Sequence, residues 1–153
     1  LKEKYPFTRF HICGFCDEDY MALIDEMVKK GVVDYHGMVE DVRAVYQVTH
    51  CTVLPSWYAE GMNNVLLESA ASARPVITTG RPGCGEIVDD GVNGFIVNPQ
   101  DTDDLIEKME RFILLPSDQK EMMGMNGRRK VETAFDRRIV VERYLEAVNS
   151  LFG

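Results

Sequence analysis

The first hundred residues alternate short apolar runs with helix-length amphipathic stretches, and this alternation constrains the fold more than any other feature. Phe10-His11-Ile12-Cys13 stops at Gly14 and reads as a strand. Asp17 or Asp19 can cap the next stretch, in which Met21, Leu23, Ile24, Met27 and Val28 recur at helical spacing until Gly31. Residues 32–35 form a second strand closed by Gly37, and residues 39–47 suit a short helix. Cys51-Thr52-Val53-Leu54 is a third strand ended by Pro55-Ser56, followed by a helix over 64–73 and a fourth strand over 75–78. A short fifth strand, 95–97, is entered through the turn Asp90-Gly91-Val92-Asn93-Gly94. Strands separated by helices of this length imply a parallel sheet covered on both faces.

After Pro99 the pattern is helical alone. One helix starts at Asp101 or Thr102 and runs to about Leu115, with Leu105, Ile106, Met109, Phe112 and Ile113 as its stripe. Pro116-Ser117 breaks it, and Ser117 is expected to cap a second. Asp136 is expected to cap a third, with Ile139, Val140, Tyr144, Leu145 and Val148 facing inward.

At 153 residues the chain suits one domain, 1–153, large enough to bury a core without disulfide staples. A net charge of −8 argues against nucleic acid and against direct docking on anionic lipid. No apolar run is long enough to span a membrane. Four cysteines, Cys13, Cys16, Cys51 and Cys84, form no disulfide framework at this length, which points to a reducing, cytoplasmic setting. The opening Leu1-Lys2-Glu3-Lys4 contains no signal peptide, and the lack of an initiating Met suggests a fragment.

Ligands of open parallel sheets sit beyond the C-terminal ends of the strands. That rule puts Gly14, residues 37–39, 56–64 and 79–86 around one crevice. Leu54-Pro-Ser-Trp-Tyr-Ala-Glu60-Gly61-Met-Asn-Asn-Val-Leu-Leu-Glu68 is the informative stretch: strand, loop and helix start. The helix N-terminus offers free N–H groups and a dipole suited to a phosphate, and Gly61 lets a ligand approach the backbone. Counted as helix, Glu60 and Glu68 lie about 12 Å apart along the axis. That separation suits the two ends of a sugar diphosphate nucleoside better than a shared metal ion. The simpler reading is that acids near a helix N-terminus are favoured by the dipole alone.

The same stretch resembles the signature of the family 4 (group 1) retaining glycosyltransferases, which have the GT-B architecture. The parts that carry the resemblance are Pro55-Ser56, Glu60-Gly61, Glu68-Ser69-Ala70, Arg74-Pro75-Val76-Ile77, Gly83-Cys84-Gly85-Glu86-Ile87-Val88, Asp90-Gly91-Val92-Asn93-Gly94 and Phe95-Ile96-Val97. Upstream, Ile12-Cys13-Gly14 and Tyr35-His36-Gly37-Met38-Val39 resemble the family's preceding strand ends. The wording is most similar to bacterial enzymes that build capsule, O-antigen or lipid-linked oligosaccharide. Arg74 stands where the family has Gly, and Asn63 replaces a commoner Gly or Pro, which could add a contact to the sugar.

The resemblance implies a doubly wound, Rossmann-like sheet: the C-terminal, nucleotide-sugar-binding half of a GT-B enzyme. It implies that Glu60 meets the transferred sugar as the catalytic residue and that Glu68 binds ribose hydroxyls. Backbone N–H groups of Gly61, Met62, Asn63, Asn64 and Val65 would meet sugar and phosphate, and Gly37, Met38 and Val39 would lie against the base. The donor would be a nucleotide diphosphate sugar, with UDP preferred, and the acceptor a glycan or glycolipid. No metal or other cofactor is implied. The family's Arg and Lys for the diphosphate follow the first strand of this domain, and nothing before Phe10 supplies them, nor the N-terminal acceptor domain. The chain alone is therefore expected to be inactive, and any location at the inner face of the membrane would come through that absent domain. In the strand order 3-2-1-4-5-6 the runs at Phe10, Val32 and Cys51 match the second, third and fourth strands. A central gap would then close by direct pairing, by a neighbouring chain or by a segment present beside this sequence. The last is expected, because the others require repacking helices on a narrowed sheet.

A non-catalytic nucleotide-sugar-binding module stays open as an alternative. So does a thioredoxin-like redox protein using Cys13 and Cys16, whose thiols would then be depressed in pKa. His11, His36 and His50 are scattered beside strands, with no demand for a shared metal. Cys84 could line the sugar pocket or serve as a small turn residue. Arg128-Arg129-Lys130 reads as a solvated face, and Met122-Met123-Gly124-Met125 as helix core.

Overall fold

Five parallel strands form at the apolar runs, but in two sheets. The computed structural model describes residues 1–59 and 61–152. In it, β1 (Phe10–Ile12) pairs in parallel with β2 (Val33–Tyr35), with His11 opposite Asp34. In the second sheet β4 (Val76–Thr79) lies between β3 (Thr52–Leu54) and β5 (Gly94–Val97), all parallel. The order within each sheet is the one expected. Residues 1–9 supply no strand: they form turns, with the Lys2 ammonium donating to the Pro6 and Thr8 carbonyls. The chain divides into two units, 1–45 and 46–153.

In the first unit, α1 (Glu18–Lys29) begins at Asp17 and carries Glu18 and Asp19 in its first turn, where the helix dipole favours acids. It ends at Lys30, and Gly31 follows with φ +65°, a left-handed stop that suits glycine. The Gly14 N–H donates to the Gly37 carbonyl (2.8 Å) and the Tyr35 hydroxyl to the Gly14 carbonyl (3.1 Å), which ties the two strand ends together. α2 (Arg43–Val48) starts four residues later than its apolar pattern predicts. Asp41 sets the start: its Oδ1 accepts the Arg43 N–H at 3.0 Å, and both carboxylate oxygens take the guanidinium.

In the second unit, all four residues of β4 are buried, and their alternation feeds two cores. Val76 packs with Leu66, Ala70, Cys84, Ile87 and Val88 on one face. Ile77 packs with Phe95, Val97, Phe112 and Met123 on the other. The sheet is thus covered on both sides, as in a doubly wound fold. One cover comes from α3 (Asn64–Ala71) with α5 (Ser117–Ala134) packed on it, Val131 joining the Val76 cluster; the other comes from α4 (Thr102–Leu114), where Phe112 joins the Ile77 cluster together with Met123 of α5. α3 ends in a left-handed turn at Ala73 (φ +54°), with the Arg74 N–H donating back to the Ser69 carbonyl.

Two helix-end expectations are corrected. Asp101 caps α4 through the Asp104 N–H, as read, but α5 has Pro116 at its N-cap, and Ser117 is its first helical residue. Proline's φ already suits a helix entry, so no side-chain cap is required. α6 (Arg137–Phe152) starts after Asp136, whose Oδ1 accepts the Arg138 N–H at 2.9 Å. The face expected to turn inward, Ile139, Val140, Tyr144, Leu145 and Val148, is exposed instead. Helical spacing marks an amphipathic stripe without saying what covers it. Among the described residues no helix is long and apolar enough to cross a membrane.

Candidate functional site

The strand–loop–helix at 52–71 is built around one cap. Asn63 holds an extended conformation (φ −79°, ψ 108°), and its Oδ1 accepts the Leu66 N–H at 3.2 Å. Its own N–H donates to the Gly83 carbonyl at 3.0 Å, binding the start of α3 to the loop after β4. Asn63 is buried. Two sequence expectations change here. The Asn63 side chain serves the helix cap rather than reaching out to a sugar, and its N–H is already spent on Gly83.

Among the described residues the N–H groups of Gly61, Met62, Asn64 and Val65 have no hydrogen-bond partner. Those of Asn64 and Val65 are the first two of α3, which an α-helix leaves unpaired by construction. Asn64, Val65 and Glu68 are exposed, whereas Leu66, Ser69 and Ala70 are buried. Positions three and four apart share a helix face, so the Glu68 side chain lies on the same exposed face as those of Asn64 and Val65, one turn in from the helix end that the two N–H groups point out of. Its carboxylate has no ion-pair partner among the described residues. Glu60 lies outside the described residues.

The loops beside this helix are held by side chains that periodicity did not single out. The Thr78 hydroxyl donates to the Leu54 carbonyl at 2.7 Å, and the Thr79 hydroxyl donates to the Ser56 carbonyl. The Glu86 carboxylate accepts the Gly83 N–H at 2.9 Å. Gly85 has to be small: a Cβ there would meet the Gly80 backbone at 3.1 Å. Asn93, also buried, accepts the Asp89 N–H and donates to the Ile87 carbonyl, which shapes the Asp90–Gly94 turn. Cys84 is a turn residue, as read, and it is fully buried among Leu66, Val76 and Ile87, so it does not line a pocket. Arg74, remote from the free N–H groups at the other end of α3, donates through Nε to the Tyr46 carbonyl of α2.

Gly37, Met38 and Val39 follow β2 in the first unit; Gly37 has φ +62°, and Met38 is largely exposed. Two features of that unit escaped pattern reading. His11 and His36 stack with ring centroids 5.2 Å apart and share an Nδ1···Nε2 hydrogen bond of 3.0 Å. Strand register brings them together, as the residues after His11 and before His36, Ile12 and Tyr35, are paired. Among the described residues no three His, Cys, Asp or Glu side chains are placed to hold a metal ion. Cys13 and Cys16 are free thiols, and burial pushes the Cys13 thiol up from its ordinary value. A redox nucleophile needs the opposite shift.

Residues 1–114 match the family described as glycosyl transferases group 1. The chain belongs to that family. It is 37% identical over 114 residues to the capsular polysaccharide biosynthesis glycosyltransferase CapM of Staphylococcus aureus, covering 74% of this chain and 29% of CapM. A glycosyltransferase from Rickettsia africae superposes with a TM-score of 0.84 at 18% identity, covering 99% of this chain and 42% of that one. HepE from Anabaena, solved with UDP-glucose, gives 0.78 at 20% identity over 92% of this chain and 40% of its own. Such structural neighbours are GT-B glycosyltransferases, and the parallel-sheet architecture with trailing helices is theirs. The chain spans roughly a third of the length of the curated relatives it matches.

Proposed function

We propose that this chain is the nucleotide-sugar-binding part of a retaining glycosyltransferase, which moves a sugar from a UDP-sugar to a polysaccharide or lipid-linked acceptor. The observation that carries the reading is the exposed start of α3, where the N–H groups of Asn64 and Val65 point out of the helix end and Glu68 stands exposed one turn further in. The N–H groups hold the diphosphate, helped by the helix dipole. Glu68 accepts hydrogen bonds from ribose hydroxyls. Glu60 meets the transferred sugar. Family membership and the UDP-glucose complex of HepE support the donor class.

The chemistry follows from where charge grows. As the bond to the anomeric carbon breaks, the sugar gains oxocarbenium character and the leaving diphosphate gains negative charge. Donors fixed in place before the reaction stabilise that charge more than they stabilise the ground state. The Asn63 cap and its bond to the Gly83 carbonyl supply that rigidity. Protein N–H groups take the charge that a metal ion would otherwise neutralise.

Calorimetry and amide NMR with UDP, GDP and ADP test the reading. UDP is expected to bind, weakly, and to shift the amides of Gly61, Met62, Asn64 and Val65. Loss of one hydrogen bond to a charged group is worth about 1.5–3 kcal/mol, so Glu68→Ala should weaken UDP roughly tenfold or more. Shifts confined to residues remote from 60–68 would sink the assignment.

A further inference from the structure

Tyr46 ties α2 to α3 through two hydrogen bonds. It is the buried residue of α2, 5% exposed. Its hydroxyl donates to the Val65 carbonyl, in the first turn of α3, at 3.1 Å. Its own carbonyl accepts from Arg74 Nε at 2.6 Å, just past the other end of α3. That carbonyl is among the last four of α2, which a helix leaves unpaired, so Arg74 satisfies it without displacing a helical bond. One residue thus holds α3 at both ends of its length of about 12 Å.

Phenylalanine would pack in the same place, so the hydroxyl is the informative part, and the acceptor it takes is one with a consequence. The Val65 carbonyl and the Leu66 N–H belong to a single peptide group. That N–H donates to Asn63 Oδ1, the cap of α3, at 3.2 Å. The Asn63 N–H in turn donates to the Gly83 carbonyl at 3.0 Å. A hydroxyl bonded to the carbonyl side of a peptide polarises it and strengthens the bond made by its N–H, by roughly 10–30% in such chains. The cap bond is at the long end of the N–H···O range, so support from the carbonyl side matters to it. Tyr46 therefore acts on the cap, and the cap fixes the direction of the Asn64 and Val65 N–H groups. Donors of this kind are useful in proportion to how firmly they are held before the ligand arrives.

We propose that Tyr46 is a positioning residue for the diphosphate: its hydroxyl, acting through the Val65–Leu66 peptide and the Asn63 cap, holds the N–H groups of Asn64 and Val65 in their binding geometry. The inference rests on the reading of α3 as the nucleotide-sugar site. Tyr46 itself touches no ligand.

Calorimetry with UDP and amide hydrogen exchange, both without denaturant, test the role on the unsubstituted chain, Tyr46→Phe, Asn63→Ala and the double variant. Tyr46→Phe keeps the ring and its packing. It should weaken UDP about fivefold, the net worth of one hydrogen bond, and speed exchange of the Leu66 amide by a similar factor. Asn63→Ala already removes the acceptor on which the hydroxyl works, so the double variant should bind UDP no worse than Asn63→Ala alone. A Tyr46→Phe affinity within twofold of the unsubstituted chain overturns the proposal. An additive loss in the double variant overturns it too, because the two side chains would then act independently, as in a merely structural role. Leu66 exchange unmoved in Tyr46→Phe overturns the coupling while leaving the nucleotide site standing. Failure of the unsubstituted chain to bind UDP is the separate failure of that site, and it removes the ground for this role as well. Circular dichroism of each variant excludes unfolding as the cause of a lost affinity.

Discussion

Two glycines on α5, one turn apart, should respond to the same substitution with opposite signs. α5 packs on α3 through Gly124 and Gly127. A Cβ at Gly124 would sit 2.2 Å from the Ala73 carbonyl oxygen and 2.9 Å from its carbon. At Gly127 it would lie 3.6 Å from the Ala70 Cβ, an ordinary contact. In both cases alanine gains about 1 kcal/mol of helix propensity. At Gly127 that gain stands, so Gly127→Ala should raise the melting temperature by a few degrees at most. At Gly124 the clash is with backbone, and α3 and α5 must part by about 1 Å to relieve it. Overpacking costs about 1–3 kcal/mol, and the upper end applies because no side chain can swing away. The net loss is then about 2 kcal/mol. For a chain of this size that corresponds to a fall of about 4–8 °C. Thermal melts by circular dichroism and urea midpoints on both variants decide it. A Gly124→Ala protein as stable as Gly127→Ala would refute the close approach of α5 to the C-terminal end of α3.

The cap and the helix ends make further tests. Asn63→Ala removes the acceptor of the Leu66 N–H and should cost about 1 kcal/mol, read from the urea midpoint; UDP affinity should fall with it as the α3 N-terminus loosens. An unchanged midpoint would show that the cap contributes nothing. Asp136 is held down to about 2 by the Arg138 guanidinium and backbone N–H. A carboxylate depressed on folding adds stability above its ordinary value of 3.8 and loses it as pH falls through the folded value. The helicity contributed by α6 should therefore fade between about pH 4 and pH 2, and Asp136→Asn should flatten that part of the far-ultraviolet titration. Asp104, lowered by the Asn98 N–H and by Lys108, leaves a residual acid transition in the Asp136→Asn variant.

What the amino-acid sequence determined unaided is everything governed by neighbours along the chain. The strands and helices follow from apolar period and from punctuation: Asp101 caps a helix and Gly31 closes one, as read, whereas Asp17 precedes α1 without a side-chain cap bond. Much of the site was legible for the same reason, because Gly61, Asn64, Val65 and Glu68 lie within one loop and two helical turns. Tertiary structure alone decided how those groups are used. The Asn63 N–H is consumed by a carbonyl twenty residues away, and Cys84, a turn residue, fills a core between α3 and β4. His11 and His36 meet through strand register, the strands part into two sheets, and the apolar stripe of α6 stays uncovered. Spacing records which side chains share a face; burial and hydrogen-bond partners depend on what else arrives beside that face in space.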